Sequence, residues 1–590
     1  QYDILIEKTM SLVPRKHRYV IEERTDINGS QIKPINTTQF KKLIEKIKSE
    51  NFESIGIGFL HSYANSENEN ILKEFIFDNL QGVEVSISSE VCPEIREYER
   101  FTTTVINAYI KPLMSNYLKK LEYELIEKGF NCPLLLMTSG GTLTNIPSAC
   151  NNPVRLVESG PAGGAILATS IARDLGLNKV ISFDMGGTTA KITVIENKKA
   201  IKAREFEVDR KARFKKGSGF PLRIPVIEMV EIGAGGGSIA RVNKLEQIIT
   251  GPDSAGSLPG PACYCNGGTL PTITDADLII GKINPENFAG GKIKLSKDLA
   301  ADAITKNISQ IVNLDMDTAA LAISEIVDET MSNAARVHTV EQGHETSSRT
   351  LIAFGGAAPL HVARVAEKLK VSSIIIPTNA SVGSAVGFLK APVGYEVVKS
   401  LRTLLKAFPV KKVNDLLKIM REEAEKVIEN KSEKNNFLEE RFAYMRYAGQ
   451  GHEIKVPIEN NLLSIRHLDS IKSSFEQKYE KLYSRILPNA DIEILTWSLS
   501  LSIQSENENE YKELNSYTNR EESTLIDLID YHSEKKIKVP YFERNDLNPG
   551  DLIMGQCIIS EDQTTIIVSK NFNTKVLGNN FLKMEYNKNE

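Results

Sequence analysis

Apolar residues along this chain fall into short strand-like runs and helical stripes that alternate. Residues 53–60 (ESIGIGFL) and 83–89 read as buried strands with a helix at 66–79 between them, a β-α-β rhythm. A long helix is predicted from Phe101, with Val105, Tyr109, Leu113, Tyr117, Leu121 and Leu125 at steps of four, a kink at Pro112 and a stop at Gly129. A short strand at 134–137 leads into the turn Ser139-Gly140-Gly141. Residues 179–184, 191–196 and 200–208 are expected to form an antiparallel three-strand meander. Residues 210–300 read as loop-rich, dense in Gly and Pro, and too long for a linker. A long helix at 317–342 precedes a second β-α-β run: strand 350–354, Gly355-Gly356, helix 357–370, strand 371–377, helix 381–389. Amphipathic helices at 410–432 and 467–485, a polar loop at 504–524 and short strands over 535–588 complete the pattern.

Composition narrows the class. With 590 residues the prior is about four domains or subdomains at ~150 residues each. The 41% hydrophobic and 25% charged content is that of a globular chain needing neither disulfide nor metal staple. A net charge of -4 gives no basic excess for nucleic acid or an anionic membrane. No apolar run reaches the ~18 residues of a membrane span. The start lacks signal-peptide features, and the six cysteines are too sparse for a disulfide framework, so a cytoplasmic setting is expected.

Two glycine turns are the candidate chemistry. Asp184-Met185-Gly186-Gly187-Thr188-Thr189 sets a carboxylate at a strand end, followed by two glycines and two hydroxyls. Glycines let backbone N–H groups approach phosphate oxygens, Thr hydroxyls add donors, and Asp184 can hold Mg2+ directly or through water. The same residues also fit a plain Gly-Gly hairpin. Phe354-Gly355-Gly356-Ala357 is a strand, a Gly pair and a helix start; it leaves room for a base and ribose, or is simply a close-packed turn. In this order, with a long helix between, the two turns follow an actin-like ATPase. No Walker A motif is present, and Gly233-Ala234-Gly235-Gly236-Gly237-Ser238 fails the dinucleotide fingerprint at its last position.

Longer stretches carry a more specific resemblance: SSEVCPEIREYERFTTTVINAYIKPL (88–113), PVRLVESGPAGG (153–164), ISFDMGGTTAK (181–191), EIGAGGGSIARV (231–242), GPDSAGSLPGPACY (251–264), TITDADLIIG (272–281), IAFGGAAPLH (352–361) and MRYAGQGHEI (445–454). With these the chain resembles the hydantoinase A / oxoprolinase family, to which ATP-dependent hydantoinase and oxoprolinase subunits and subunits of acetone and acetophenone carboxylases belong. The resemblance implies an α/β, actin-like (ribonuclease H-like) ATPase fold with an added C-terminal β-containing domain. It implies domains at 1–172, 173–405 and 406–590. It implies ATP and Mg2+ as cofactors and phosphorylation of the carbonyl oxygen of a hydantoin, oxoproline or lactam. A B-type subunit would complete ring opening in a hetero-oligomer. A ketone carboxylase subunit and a non-catalytic assembly subunit are the alternatives.

The resemblance assigns Asp184, Gly186, Gly187, Thr188 and Thr189 to a phosphate loop, with Asp184 and Thr188 catalytic and Asp184 the candidate Mg2+ ligand. It assigns Gly355 and Gly356 to the adenosine loop and offers Glu158, Gly160, Gly235, Gly236 and Asp253 as cleft residues. The glycine run 233–238 fits a structural loop equally well. Relatives begin with a first phosphate hairpin, D-x-G-G-T-x-T-D, that is not found here. A chain without about a hundred upstream residues, inactive as an isolated fragment, is therefore expected. Lys191 stands where many relatives have an acid, and Cys263-Tyr264-Cys265 reads as free thiols rather than a metal pair. His361 reads as a packed or capping histidine and His452 as structural.

Overall fold

The computed structural model describes residues 9–211, 217–428, 437–503, 511, 513–521 and 524–587. Two compact units emerge, neither continuous in sequence. The first comprises Gln1–Ser159, Lys202–Val226 and Ala391–Glu506; the second comprises Gly160–Ile201, Ile227–Lys390 and Asn507–Glu590.

In the first unit the β-α-β rhythm is present. Strands Ser54–Ile57 and Glu84–Ile87 pair in parallel, with helix Glu67–Asn79 between them in sequence. Helix Glu97–Glu127 runs unbroken through Pro112. Its apolar stripe is not its buried face: Tyr109 is 69%, Leu113 74% and Tyr117 57% exposed. The buried face mixes apolar residues, Ile106 and Leu118, with polar ones that hydrogen-bond to neighbouring elements. Asn107 Nδ2 donates to Ser86 Oγ (3.1 Å), Lys111 Nζ to the Val85 carbonyl (3.0 Å) and Ser115 Oγ to the Cys150 carbonyl (3.2 Å). A second core forms under the antiparallel sheet Gly394–Leu404, Ile492–Ile503, Phe437–Tyr447, Ile454–Ile458. Helices Val410–Ile428 and Leu468–Tyr483 bury Val413, Leu417, Met420, Ile471 and Phe475 in the cluster that holds Trp497 and Tyr447. Of the helix expected over 410–432, residues 429–432 lie outside the described residues, as do 504–510, 512 and 522–523 of the polar stretch.

The second unit is built on a sheet in the order Met229–Ile232, Ala190–Glu196, Lys179–Met185, Thr350–Phe354, Ser373–Ile376, continued by Leu582–Tyr586, Phe572–Val576, Asp551–Ile553 and Thr518–Asn519. The first three strands are antiparallel neighbours. Lys179–Met185, Thr350–Phe354 and Ser373–Ile376 are parallel. Val180, Ile181, Phe183, Ile352, Ala353, Phe354, Ile374 and Ile376 are each at most 1% exposed. Continuous apolar strands of this kind mark a sheet covered on both faces.

One expectation is corrected here. The third strand of the meander is Met229–Ile232, not 200–208. Only Lys199–Ala200 pairs with Ala190–Glu196; Lys202–Val208 pairs with Phe220–Ile227 in a separate ribbon. The stretch 210–300 is likewise richer in structure than expected, with strands Phe220–Ile227, Met229–Ile232, Ser238–Val242 and Ile248–Ser254 and helix Ile273–Ile280. That helix opens on a capping box between Thr272 and Asp275 and ends at Gly281.

Candidate functional site

Asp184 is the penultimate residue of strand Lys179–Met185, and the turn after it carries Gly186–Thr189. Gly186 N–H donates to the Thr189 carbonyl (3.1 Å), closing the hairpin. The glycine run 233–237 packs directly beneath it. Gly236 N–H donates to the Gly186 carbonyl (3.1 Å) and Gly237 N–H to the Gly187 carbonyl (2.7 Å). With these acceptors tied back, the exposed tip at Gly187 and Thr188 is left rich in donors. The approach needs glycine: a Cβ on Gly235 would stand 2.5 Å from Thr188 N. Thr274 holds the run from behind, its N–H and Oγ1 both 2.8 Å from the Gly236 carbonyl.

Strand Thr350–Phe354 lies beside Lys179–Met185 with Phe354 opposite Asp184, which brings the second glycine turn to the first. Gly355 has φ +93°, and a Cβ there would lie 2.7 Å from Asp184 Oδ1. Gly355 N–H donates to the Ala380 carbonyl (2.7 Å), and Ala357 N–H to the Met185 carbonyl (2.9 Å). Thr564 Oγ1 donates to the Gly356 carbonyl (2.9 Å), so the C-terminal strands brace this turn.

Asp184 is mostly buried. Burial pushes its carboxyl above the usual range, opposed by Lys191, its cross-strand neighbour, and by Ser384, whose Oγ donates to Oδ2 (3.1 Å). Lys191 also lies 3.9 Å from Glu231. Among the described residues no group of three or more His, Cys, Asp and Glu is placed to hold a metal. The residues nevertheless fit a Mg2+ ion brought by a nucleotide: such an ion takes one or two carboxylates and completes its shell with phosphates and water. A buried carboxyl with one hydroxyl donor is the group a cation would favour in its charged form.

Helix Ser159–Asp174, which carries Gly160, meets Asp184 at Gly164, where a Cβ would stand 3.0 Å from Oδ2, and strand Ile248–Ser254, which carries Asp253, packs on the glycine run. Gly160 opens helix Ser159–Asp174 and Glu158 precedes it with φ 63°. Asp253 is 64% exposed and paired with Arg241 (2.8 Å) on the hairpin of strand Ile248–Ser254. Sequence reasoning missed Ser384, whose only signal was its place in a small-residue pair, Gly383-Ser384.

It also missed the company of His361. On helix Ala358–Leu369, just past the second glycine turn, His361 is fully buried between two carboxylates. Its Nδ1 is 2.8 Å from Asp328 Oδ1 and its Nε2 3.1 Å from Asp277 Oδ2. Lys282 Nζ pairs with Asp277 Oδ1 (2.9 Å) and donates to Ser324 Oγ (2.9 Å), which lies 2.8 Å from Tyr531 Oη. Burial and Lys282 act against the imidazolium, but Asp277 and Asp328 more than offset them and raise its pKa. Burial likewise acts against the Asp277 carboxylate, yet Lys282 and His361 hold it down at about 2. The packed reading of His361 holds; three helices meet at it.

The sequence profile described as Hydantoinase/oxoprolinase matches residues 100–397, and the N-terminal-region and C-terminal-domain profiles match 1–80 and 408–587. The chain belongs to the hydantoinase/oxoprolinase family. An uncharacterised member from Methanocaldococcus jannaschii is 37% identical over 97% of this chain and 82% of its own. Caprolactamase subunit alpha of Pseudomonas jessenii is 29% identical over 96% of this chain and 81% of its own. The crystal structure of the ATP-dependent caprolactamase from that organism superposes with a TM-score of 0.85 at 27% identity, covering 99% of this chain and 84% of that one. The beta subunit of acetone carboxylase from Xanthobacter autotrophicus is 26% identical over 95% of this chain and 80% of its own. The expected α/β fold with a C-terminal β-containing part is therefore the family's. Among the described residues, no helix is long and apolar enough to cross a membrane.

Proposed function

We propose that this chain is the ATP-dependent subunit of an enzyme that phosphorylates the carbonyl oxygen of a cyclic amide and opens the ring with a B-type partner. One observation carries the reading: Gly355 packs against Asp184, so the donor-rich hairpin and the Gly355-Gly356 turn form one continuous surface. Kinship with a caprolactamase subunit supports a lactam-type substrate.

An unactivated amide is a poor electrophile. Its oxygen attacks the γ-phosphorus, ADP leaves, and an O-phosphorylated imidate results. Water then adds to the carbon, the C–N bond breaks with nitrogen leaving as the amine, and a second water releases phosphate from the acyl phosphate. Phosphoryl transfer depends on positioning and charge neutralisation more than on a protein nucleophile. Gly187 and Thr188 would donate to the phosphate oxygens, Gly355 and Gly356 would admit the adenosine, and Asp184 would hold the accompanying Mg2+. That ion, when bound, neutralises charge on the transferred group.

The test is ADP release by the chain co-expressed with its B-type partner, across hydantoins, 5-oxoproline, lactams and small ketones, with and without bicarbonate. Release driven by one cyclic amide supports the reading. Release driven only by a ketone with bicarbonate moves the chain to the carboxylase side, which kinship with acetone carboxylase also supports. ATP binding without stimulation by any compound favours a non-catalytic role.

A further inference from the structure

We propose that the first unit carries a second ligand site, a recess around Arg155 and Lys202 that takes the carboxylate or phosphate end of a small molecule. Ser139, Arg155, Lys202, Pro225, Tyr395 and Glu396 line it, all within that unit. It is narrow, well below the size of a small-molecule pocket, with room for an end group only.

The wall is pre-formed. The loop after strand Leu135–Met137 is pinned by Ser139 Oγ, 3.0 Å from the Arg155 carbonyl and 2.9 Å from the Pro225 carbonyl. The Arg155 guanidinium lies over the Tyr395 ring at 4.4 Å, and its Nη1 donates to the Glu396 carbonyl (2.7 Å). A guanidinium has five donors, and this one is held rigid with most of them unspent. Among the described residues neither Arg155 nor Lys202 forms an ion pair with a carboxylate.

The one carboxylate lining the recess, Glu396, accepts a hydrogen bond from Ser498 Oγ (2.6 Å). Burial opposes the charged form of Glu396, but Lys455, Lys202, Ser498 and Arg155 together hold its pKa below the usual range. Lys455 is shared between Glu396 and Glu440, which leaves Arg155 and Lys202 as the lining cations. The strand that supplies Lys202 carries Arg204 two residues on, on the same face. Arg204 and Arg223 both pair with Glu94, yet the Nε of each is buried without a hydrogen-bond partner. Burial and Arg223 lower Arg204 to about 10 despite Tyr444 and Glu453. A carboxylate or phosphate in the recess matches the fork of the Arg155 guanidinium, with Lys202 beside it.

The test is calorimetric titration of the purified chain with inorganic phosphate and, separately, with acetate, comparing wild type, Arg155→Gln, Lys202→Gln and Asp184→Asn. Saturable binding that weakens tenfold or more in Arg155→Gln and Lys202→Gln, and is unchanged in Asp184→Asn, supports the site. Whichever probe binds names the ligand's end group. Trp497 emission reports whether the unit is folded; if Arg155→Gln alters it, the exposed Lys202 decides through Lys202→Gln. No binding of either probe at millimolar concentration overturns the site. So does binding lost only in Asp184→Asn, which would send the anion to the glycine hairpin.

Discussion

Replacing His361 with alanine tests the buried network most directly. The imidazole is 0% exposed, and the side chains of Asp277 and Asp328 are 3% and 0% exposed. Its removal leaves Asp328 without its ionic partner and Asp277 with Lys282 alone, in a setting that water does not reach. Breaking a buried charge pair from one side costs about 3–5 kcal/mol. Two compact units make a single melting curve ambiguous, and the one tryptophan, Trp497, reports the first unit only. Hydrogen–deuterium exchange is therefore the assay, read on peptides covering helices Ile273–Ile280, Met316–Glu341 and Ala358–Leu369. A cost of about 3 kcal/mol raises exchange through opening roughly 100-fold. The sign with pH follows from the raised pKa. The contribution of His361 is complete below the ordinary imidazole value and fades as pH rises through the raised one. Asp277, held at about 2, stays ionised throughout. The gap between wild type and variant must narrow in alkali. Exchange in the three helices within twofold of wild type at neutral pH would refute the argument, as would a gap that widens with pH.

Other expectations are independent of that network. Gly355→Ala puts a Cβ 2.7 Å from Asp184 Oδ1 at φ +93°, adding about 1–2 kcal/mol of backbone strain to about 1–3 of overpacking; ATP affinity by calorimetry should fall tenfold or more, and an unchanged Kd contradicts the close approach. Ser384→Ala removes a donor to the Asp184 carboxylate, so that group's pKa rises further and the acid limb of ATP-dependent turnover moves to higher pH; a limb that stays or moves down rejects this role. Glu493, 1% exposed and bonded to Arg402 (2.8 Å) and Arg446 (2.7 Å), should cost about 1–3 kcal/mol when changed to Gln, read by Trp497 fluorescence in urea. Burial opposes its charge but the two arginines hold its pKa down, so the stabilisation is present above the ordinary Glu value and lost as pH falls through the lowered one. The two proteins should converge in acid.

The sequence by itself determined the local elements and the pair of glycine turns. Strand, helix and turn depend on neighbours in the chain, so 54–57, 67–79, 179–185, 350–354 and 358–369 were legible from apolar period and breaker residues. The family was legible because its motifs are contiguous. What the sequence did not carry was which faces meet. The stripe Tyr109, Leu113, Tyr117 has the period of a buried face but is exposed, while the side that packs combines Ile106 and Leu118 with the hydrogen-bonding Asn107 and Ser115. Strand pairing partners are a non-local matter, and the third strand of the meander lies some thirty residues beyond where alternation placed it. Asp184 acquires Ser384 from two hundred residues away, and His361 acquires Asp277 and Asp328 from separate helices. These contacts exist only once the sheet and its helices are packed, because a charge in the interior takes its state from groups within a few ångströms, however distant they are along the chain.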